Sequence, residues 1–247
     1  MRDIIDRTGE KHIDLNGNRI EIIEFFNSMN CTIRYDNGTI IKHKQYSVIK
    51  KGTIRFPFDK TVQGVGYTGI GGYSTKTNGE RSKPYMIWQG ILSRCYSQVS
   101  NKYHSAYLEC FVADYWHNFQ NFAKWYEENY IEDFQLDKDI LFKGNKEYSE
   151  KTCCFVPREI NIQFAKNNKN RGEYAIGVSY HNNKYEASMG RKLTKVHLGH
   201  YDTEAEAFLA YKKAKEYKIS VLANKHKNSI SNECYKTLLN YKVEITD

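Results

Sequence analysis

Residues 136–161 read LDKDILFKGNKEYSEKTCCFVPREIN. LDKDI reads as a strand carrying an acidic–basic–acidic triplet, Asp137-Lys138-Asp139. KGNK reads as a turn, since Gly and Asn adopt turn conformations at little cost. YSEKTCCFV reads as a returning strand. Pro157 then opens a helix over PREINIQFAKNN, because a first-turn proline gives up an N–H that has no partner there anyway. The order is strand, turn, strand, helix. It sets a carboxylate, Asp137, on the first strand and an amide, Asn161, on the helix. Such a pair of oxygens suits a hard divalent cation. The plainer reading is a charged hairpin leading into a helix.

Upstream, residues 84–130 read as helical and aromatic. Ser82 is placed to cap a helix with Pro84 in its first turn, and Tyr85, Trp88 and Leu92 share one face. Tyr115, Phe119, Phe122 and Tyr126 make a second stripe at i, i+4, i+7 and i+11, the spacing of a core-facing helix. His104 and His117 are spare proton-transfer candidates. Residues 64–73, GVGYTGIGGY, contain G-x-G-x-x-G. A dinucleotide site needs a buried strand before the glycines and a helix after them. FPFDKTVQ and YSTKTNGERSKP supply neither, so residues 59–83 read as a flexible glycine-rich connector. Residues 1–58 read as a small antiparallel β module. Asn-Gly pairs at 16–17 and 37–38 sit between β-rich runs, and Ile33 and Tyr35 alternate with Thr32 and Arg34.

Downstream, residues 174–215 read YAIGVSYHNNKYEASMGRKLTKVHLGHYDTEAEAFLAYKKAK. Three β segments fall at about 174–181, 184–190 and 194–201, with Asn182-Asn183 at the first turn. Thr203 and Glu206 have capping-box spacing. Ala207, Tyr211 and Ala214 then give a helix one apolar face. A three-stranded sheet backed by a helix follows.

The chain has 247 residues, enough for several modules, and 20 Tyr, 12 Phe and 3 Trp supply large side chains for their cores. Net charge is +8, which favours phosphate backbones as partners. Between residues 165 and 247 there are 15 Lys+Arg and 9 Asp+Glu, so most of the surplus lies there. None of the six cysteines forms a C-x-x-C pair, and their irregular spacing excludes both a zinc knuckle and a secreted disulfide framework. MRDIIDRTGEKH lacks the apolar stretch of a signal peptide. No 18-residue apolar run exists, so no membrane span is expected. A reducing, cytosolic compartment is the expectation.

Two resemblances add to this. Residues 84–170 resemble the HNH homing-endonuclease family common in bacteriophages. LDKDI is similar to its V-D-H-I-D-like string, and CFVPREIN to its N-L-x-W-V-T-x-x-E-N phrase. The resemblance puts Asp137 and Asn161 at the metal positions, with Asp139 as the alternative carboxylate and Mg²⁺ or Mn²⁺ as cofactor. Lys138 stands at the general-base position, where the family has histidine. Three roles are open to it: a base, a charged group beside the phosphate, or a salt-bridge residue.

Residues 174–215 closely resemble the plant ethylene-response-factor (Apetala-two) DNA-binding domain, which is also found fused to phage HNH nucleases. Gly177-Val178 matches its G-V, Lys184-Tyr185 its G-K-W, and 197–203 its L-G-x-F-D-T. Residues 205–214 match its alanine-rich helix. The exposed sheet of that family enters the major groove. By position this implies DNA contacts from Ser179, His181, Lys184, Tyr185, Ser188, Arg191, Lys195 and His197.

The expectation is an α+β, multi-module chain. It has a β module at 1–58, a connector at 59–83, an HNH-like ββα-metal domain at 84–170, and an Apetala-two-like domain with a C-terminal helix at 171–247. Its expected activity is metal-dependent cleavage of double-stranded DNA in the cytoplasm of a bacterial host. The alternatives are a non-catalytic DNA-binding protein and a phage protein that engages a host protein through its N-terminal module.

Overall fold

A computed structural model describes residues 5–97, 107–165, 173–190 and 195–245. Strands β1 (Lys11–Ile13), β2 (Arg19–Asn27), β3 (Asn30–Tyr35) and β4 (Ile40–Lys44) form an antiparallel meander in that order. Ile20, Ile22, Ile33 and Tyr35 are buried together beneath Ile49 of helix α1 (Tyr46–Lys50) and Ile54 of the loop after it. At 37–38 only Gly38 has a positive φ, 84°. The Tyr35 N–H bonds the Thr39 carbonyl across a three-residue loop, and the Asn37 side chain accepts the Thr39 N–H at 3.0 Å. A left-handed glycine therefore closes the turn, rather than an Asn-Gly pair. Thr32 is also buried, because a bulge between Cys31 and Ile33 breaks strict alternation.

The connector is not loose. Residues 62–73 lie against the central module, and Gly66, Gly69 and Gly71 permit its close approach. A Cβ at Gly66 would fall 2.4 Å from the Leu92 side chain and 2.9 Å from that of Trp88. Gln120 accepts the Tyr73 N–H and donates to the Thr68 and Tyr73 carbonyls, each at 3.0 Å. A hairpin, β5 (Lys76–Thr77) and β6 (Glu80–Arg81), leads into α2 (Lys83–Tyr96). Ser82 precedes α2 without capping it; its hydroxyl donates to the Ser74 carbonyl.

After β7 (Phe111–Val112), a 3-10 turn at Asp114–His117 precedes α3 (Phe119–Asn129). Asn118 caps α3 by accepting the Gln120 N–H. Trp88, Trp116, Phe119 and Phe122 are fully buried in one aromatic core. Tyr115 does not join the stripe expected of it. It sits on the separate 3-10 turn and is 57% exposed.

Strands β8 (Phe134–Asp137) and β10 (Cys154–Pro157) pair antiparallel, with Asp137 opposite Cys154. Between them, β9 (Glu147–Tyr148) pairs parallel with β7. Helix α4 (Arg158–Asn161) follows β10 directly. It is shorter than the sequence reading: turns follow through Phe164, and residues 166–172 lie outside the described residues.

Strands β11 (Val178–His181), β12 (Lys184–Met189) and β13 (Val196–Tyr201) form an antiparallel sheet in that order. Asn182 and Asn183 have φ of 52° and 59°, the mirror-image turn that suits a two-residue hairpin. Thr203 and Glu206 form the capping box of α5 (Glu204–Lys225). Gly177 must be glycine: φ is 77°, and a Cβ would fall 2.1 Å from the Tyr211 ring.

Helix α5 serves two cores. Its first half covers the sheet with Ala207 and Tyr211, which are buried. Its second half puts Ile219 and Ala223 into a core with Ile140, Cys154, Val156 and Ile160. Helix α6 (Asn232–Leu239) adds Cys234 and Leu238. The boundary at 171 thus runs through a chain whose second core is shared across it. Glu159 of α4 also pairs with Lys225 at 2.6 Å and with His226. No helix among the described residues is long and apolar enough to cross a membrane.

Candidate functional site

Strand alternation sets the geometry around Asp137. Phe134 and Leu136 pack into the core, so Gln135 and Asp137 face the other way. The Asn161 amide donates to Gln135 Oε1 at 2.8 Å, which brings α4 against that same face. Gln135 and Asp137 are one pleat apart, about 7 Å. No hydrogen bond joins Asp137 to Asn161.

Asp137 Oδ1 accepts the N–H groups of Asp139, at 2.7 Å, and Ile140, at 2.8 Å. This turn ends β8 at Asp137, three residues before the end of the expected strand. Asp137 Oδ2 and Asn161 Oδ1 have no hydrogen-bond partner among the described residues. Burial is the largest influence on the Asp137 carboxyl and raises its pKa; the two backbone hydrogen bonds oppose it, and Asp139 adds to the rise. A cation beside it would favour the charged form.

Lys138 turns the opposite way and is only 6% exposed. Its Nζ donates to Asp139 Oδ1 at 2.6 Å and to the Asn145 carbonyl at 2.7 Å. Asn145 Nδ2 closes the loop by donating to the Lys138 and Glu147 carbonyls. Burial works against the Lys138 charge, but the hydrogen bond and charge of Asp139 outweigh it, so its pKa lies above the ordinary value. A lysine held charged has no lone pair with which to take a proton from water. The geometry places Lys138 in a buried ion pair with Asp139 and a hydrogen bond to the loop carbonyl of Asn145. His117 is half-buried between Tyr96 and Asp114, and His104 lies outside the described residues.

A divalent ion fits this donor set in chemistry. No group of three or more His, Cys, Asp or Glu side chains converges among the described residues. The protein's share would be one carboxylate and one amide oxygen. Mg²⁺ often takes such a small share, completing its shell with water and phosphate oxygens.

On the C-terminal sheet, Ala187 is fully buried under α5. Cross-strand register then puts Ser179, His181, Lys184, Glu186, Ser188, His197 and His200 on the opposite, open face. Tyr185 is not among them. It shares the helix side with Ala187, where it meets Tyr180 at 4.8 Å and Tyr174 at 5.6 Å. Adjacent residues of one strand cannot both face a groove, so Lys184 and Tyr185 were incompatible from the start. Arg191 lies outside the described residues.

Sequence reasoning missed Glu186 and His200. Glu186 sits between Ser179 and His200 across the three strands. It pairs with Lys195 at 3.0 Å and His197 at 3.3 Å, and these hydrogen bonds, Lys195 first, hold its carboxyl below the usual range. The His197 and His200 rings are 4.6 Å apart. Lys184 pairs with Asp202. Counting alternate positions from Lys184 would have found Glu186. No protein-family model, curated protein or solved structure matches this chain.

Proposed function

We propose that the protein is a divalent-metal-dependent DNA endonuclease. In this reading the β8–β10–α4 unit cuts duplex DNA that the β11–β13 sheet contacts. One observation carries the reading. Asp137 and Asn161 each keep an oxygen without a hydrogen bond among the described residues, and both lie on the same face of a strand–strand–helix unit. They would hold the ion. When bound, Mg²⁺ or Mn²⁺ would polarise the scissile phosphate and stabilise charge on the leaving 3′ oxygen.

The chain's own residues do the positioning. Two backbone N–H groups orient Asp137, and Gln135 orients Asn161. Lys138 fixes the intervening loop through Asn145. Asp139 is half-exposed and has one oxygen committed to Lys138, so it is the carboxylate nearest in sequence that is open to an attacking water. The open face of the sheet offers imidazoles, hydroxyls and lysines, groups that contact base edges and phosphates.

A second reading, a DNA-binding protein without catalysis, is favoured by Lys138. That residue is committed to loop structure at the position where the resemblance implies a base. Supercoiled plasmid with Mg²⁺ or Mn²⁺, beside a gel shift in EDTA, separates the two. Relaxation of the plasmid supports the nuclease. A shift without relaxation supports the binder alone.

A further inference from the structure

Among the described residues, the lysines of the C-terminal sheet are paired. Lys184 is paired with Asp202, and Lys195 and His197 with Glu186. The N-terminal module is different. Between Asp36 and Asp59 the sequence contains Lys42, Lys44, Lys50, Lys51 and Arg55 and no carboxylate. None of the five has an ion pair or a side-chain hydrogen bond among the described residues. All are exposed except Lys44, which is half-buried.

The fold gathers most of them on one side. Lys44 lies opposite buried Cys31, on the sheet face that α1 covers. Lys50 and Lys51 end α1, whose Ile49 plugs the core beneath. Arg55 stands between the core residues Ile54 and Phe56 on the strap that follows. Lysines on an edge strand ordinarily guard against edge-to-edge pairing. That accounts for Lys42 and Lys44 on β4, the sheet edge. It does not account for Lys50, Lys51 and Arg55, which lie on no strand.

From this we infer that the α1 side of the N-terminal module is a second DNA surface, one that binds the phosphate backbone of the duplex without reading its sequence. The inference rests on the reading of the protein as a binder of duplex DNA. A free cation releases a phosphate counter-ion on binding, whereas a paired cation must first give up its protein carboxylate. The five unpaired cations therefore carry more of the salt-dependent affinity than the paired Lys184 and Lys195 do.

The test uses the full chain in EDTA, with two unrelated duplexes of equal length. Binding is measured from about 50 to 300 mM salt, the range over which phosphate-driven affinity falls steeply. The proteins are the wild type, a variant with all five cations changed to Gln, and Lys184→Gln/Lys195→Gln. The slope of log affinity against log salt should become shallower by about 0.9 for each phosphate that is no longer neutralised. The expected change is about 3 to 4 for the five-site variant, equal on both duplexes, and about 1 or less for the sheet variant. An unchanged melting temperature shows that the five-site variant is folded. A five-site variant with wild-type slope and affinity overturns the inference while DNA binding stands. A wild type that binds neither duplex removes the DNA reading itself, and the inference with it.

Discussion

Lys138 shows how one side chain's partners decide its role. Its two acceptors, Asp139 and the Asn145 carbonyl, make it the pin of the 138–147 loop. Lys138→Met keeps the aliphatic stem but leaves both acceptors unpaired. The variant should lose about 2–3 kcal/mol in a denaturant melt at pH 7, the range for hydrogen bonds to a charged group. Because the folded-state pKa of Lys138 is raised, its contribution is complete below the unfolded value of about 10.4. It is lost as pH rises through the folded value. Wild type and Lys138→Met should therefore converge in stability at strongly alkaline pH; a gap that stays constant there would show that the charge of Lys138 contributes nothing to stability.

Asp137 has the opposite consequence. A raised carboxyl pKa means that the folded state holds the proton better than the unfolded state does. The favourable contribution exists below about pH 3.9 and is lost as pH rises through the folded value. At neutral pH, where the unfolded carboxyl is ionised, burying Asp137 thus costs stability. Asp137→Asn keeps an oxygen for the Asp139 and Ile140 N–H groups and removes that cost. Its melting temperature should exceed the wild type's at pH 7 and match it near pH 3.5, below the ordinary carboxylate value of about 3.9. Millimolar Mg²⁺ should raise the wild-type melting temperature and leave that of the variant unchanged, by linkage. The charged triplet was visible in the sequence. Its division into a carboxylate bound by its own backbone and a buried ion pair was not, because strand alternation fails where Asp137 folds back on its own backbone.

At the scale of elements, features with local causes were legible. The Thr203–Glu206 box, the Asn182-Asn183 turn and the apolar face of α5 each follow from residues within about four positions of one another. Features set by distant partners were not. The Tyr115 stripe failed because Asn118 caps the helix three residues later, and the expected helix from Pro157 ends at Asn161. The apolar spacing of α5 shows that it has a face but not which neighbour covers it. The structure divides that face between the C-terminal sheet and the core around Val156. Ile219→Ala should therefore cost about 3 kcal/mol, as a buried large-to-small change does. Hydrogen exchange should locate the loss in β10 and α4 as well as in α5. Faster exchange confined to residues 204–240 would mean that the two modules are energetically separate.

For the whole molecule, the α+β character was legible from the alternation of hairpin signals with helical stripes. The placement of charge was not. The C-terminal surplus drew attention to the sheet, yet its described cations Lys184, Lys195 and His197 are paired with Asp202 and Glu186, whereas the cations around α1 lack such partners among the described residues. Helix α5 spans about 33 Å at 1.5 Å per residue. Anchored at both ends, it ties the sheet to the β8–β10–α4 unit. A protein built this way holds the C-terminal sheet and the β8–β10–α4 unit in one frame.

We propose that Asp137 and Asn161 form a metal-dependent cutting site. The most direct measurement is relaxation of supercoiled plasmid in about 5–10 mM Mg²⁺ or Mn²⁺, on the order of the levels that fill a weak oxygen site. Wild type, Asp137→Ala and Asn161→Ala are compared, with duplex binding of each followed in EDTA. The wild type should relax the plasmid, EDTA should stop it, and either substitution should lower the rate at least a hundredfold while binding stays within about twofold. Cleavage by either variant at the wild-type rate, or a wild type that binds the plasmid and never cuts it, would contradict the claim.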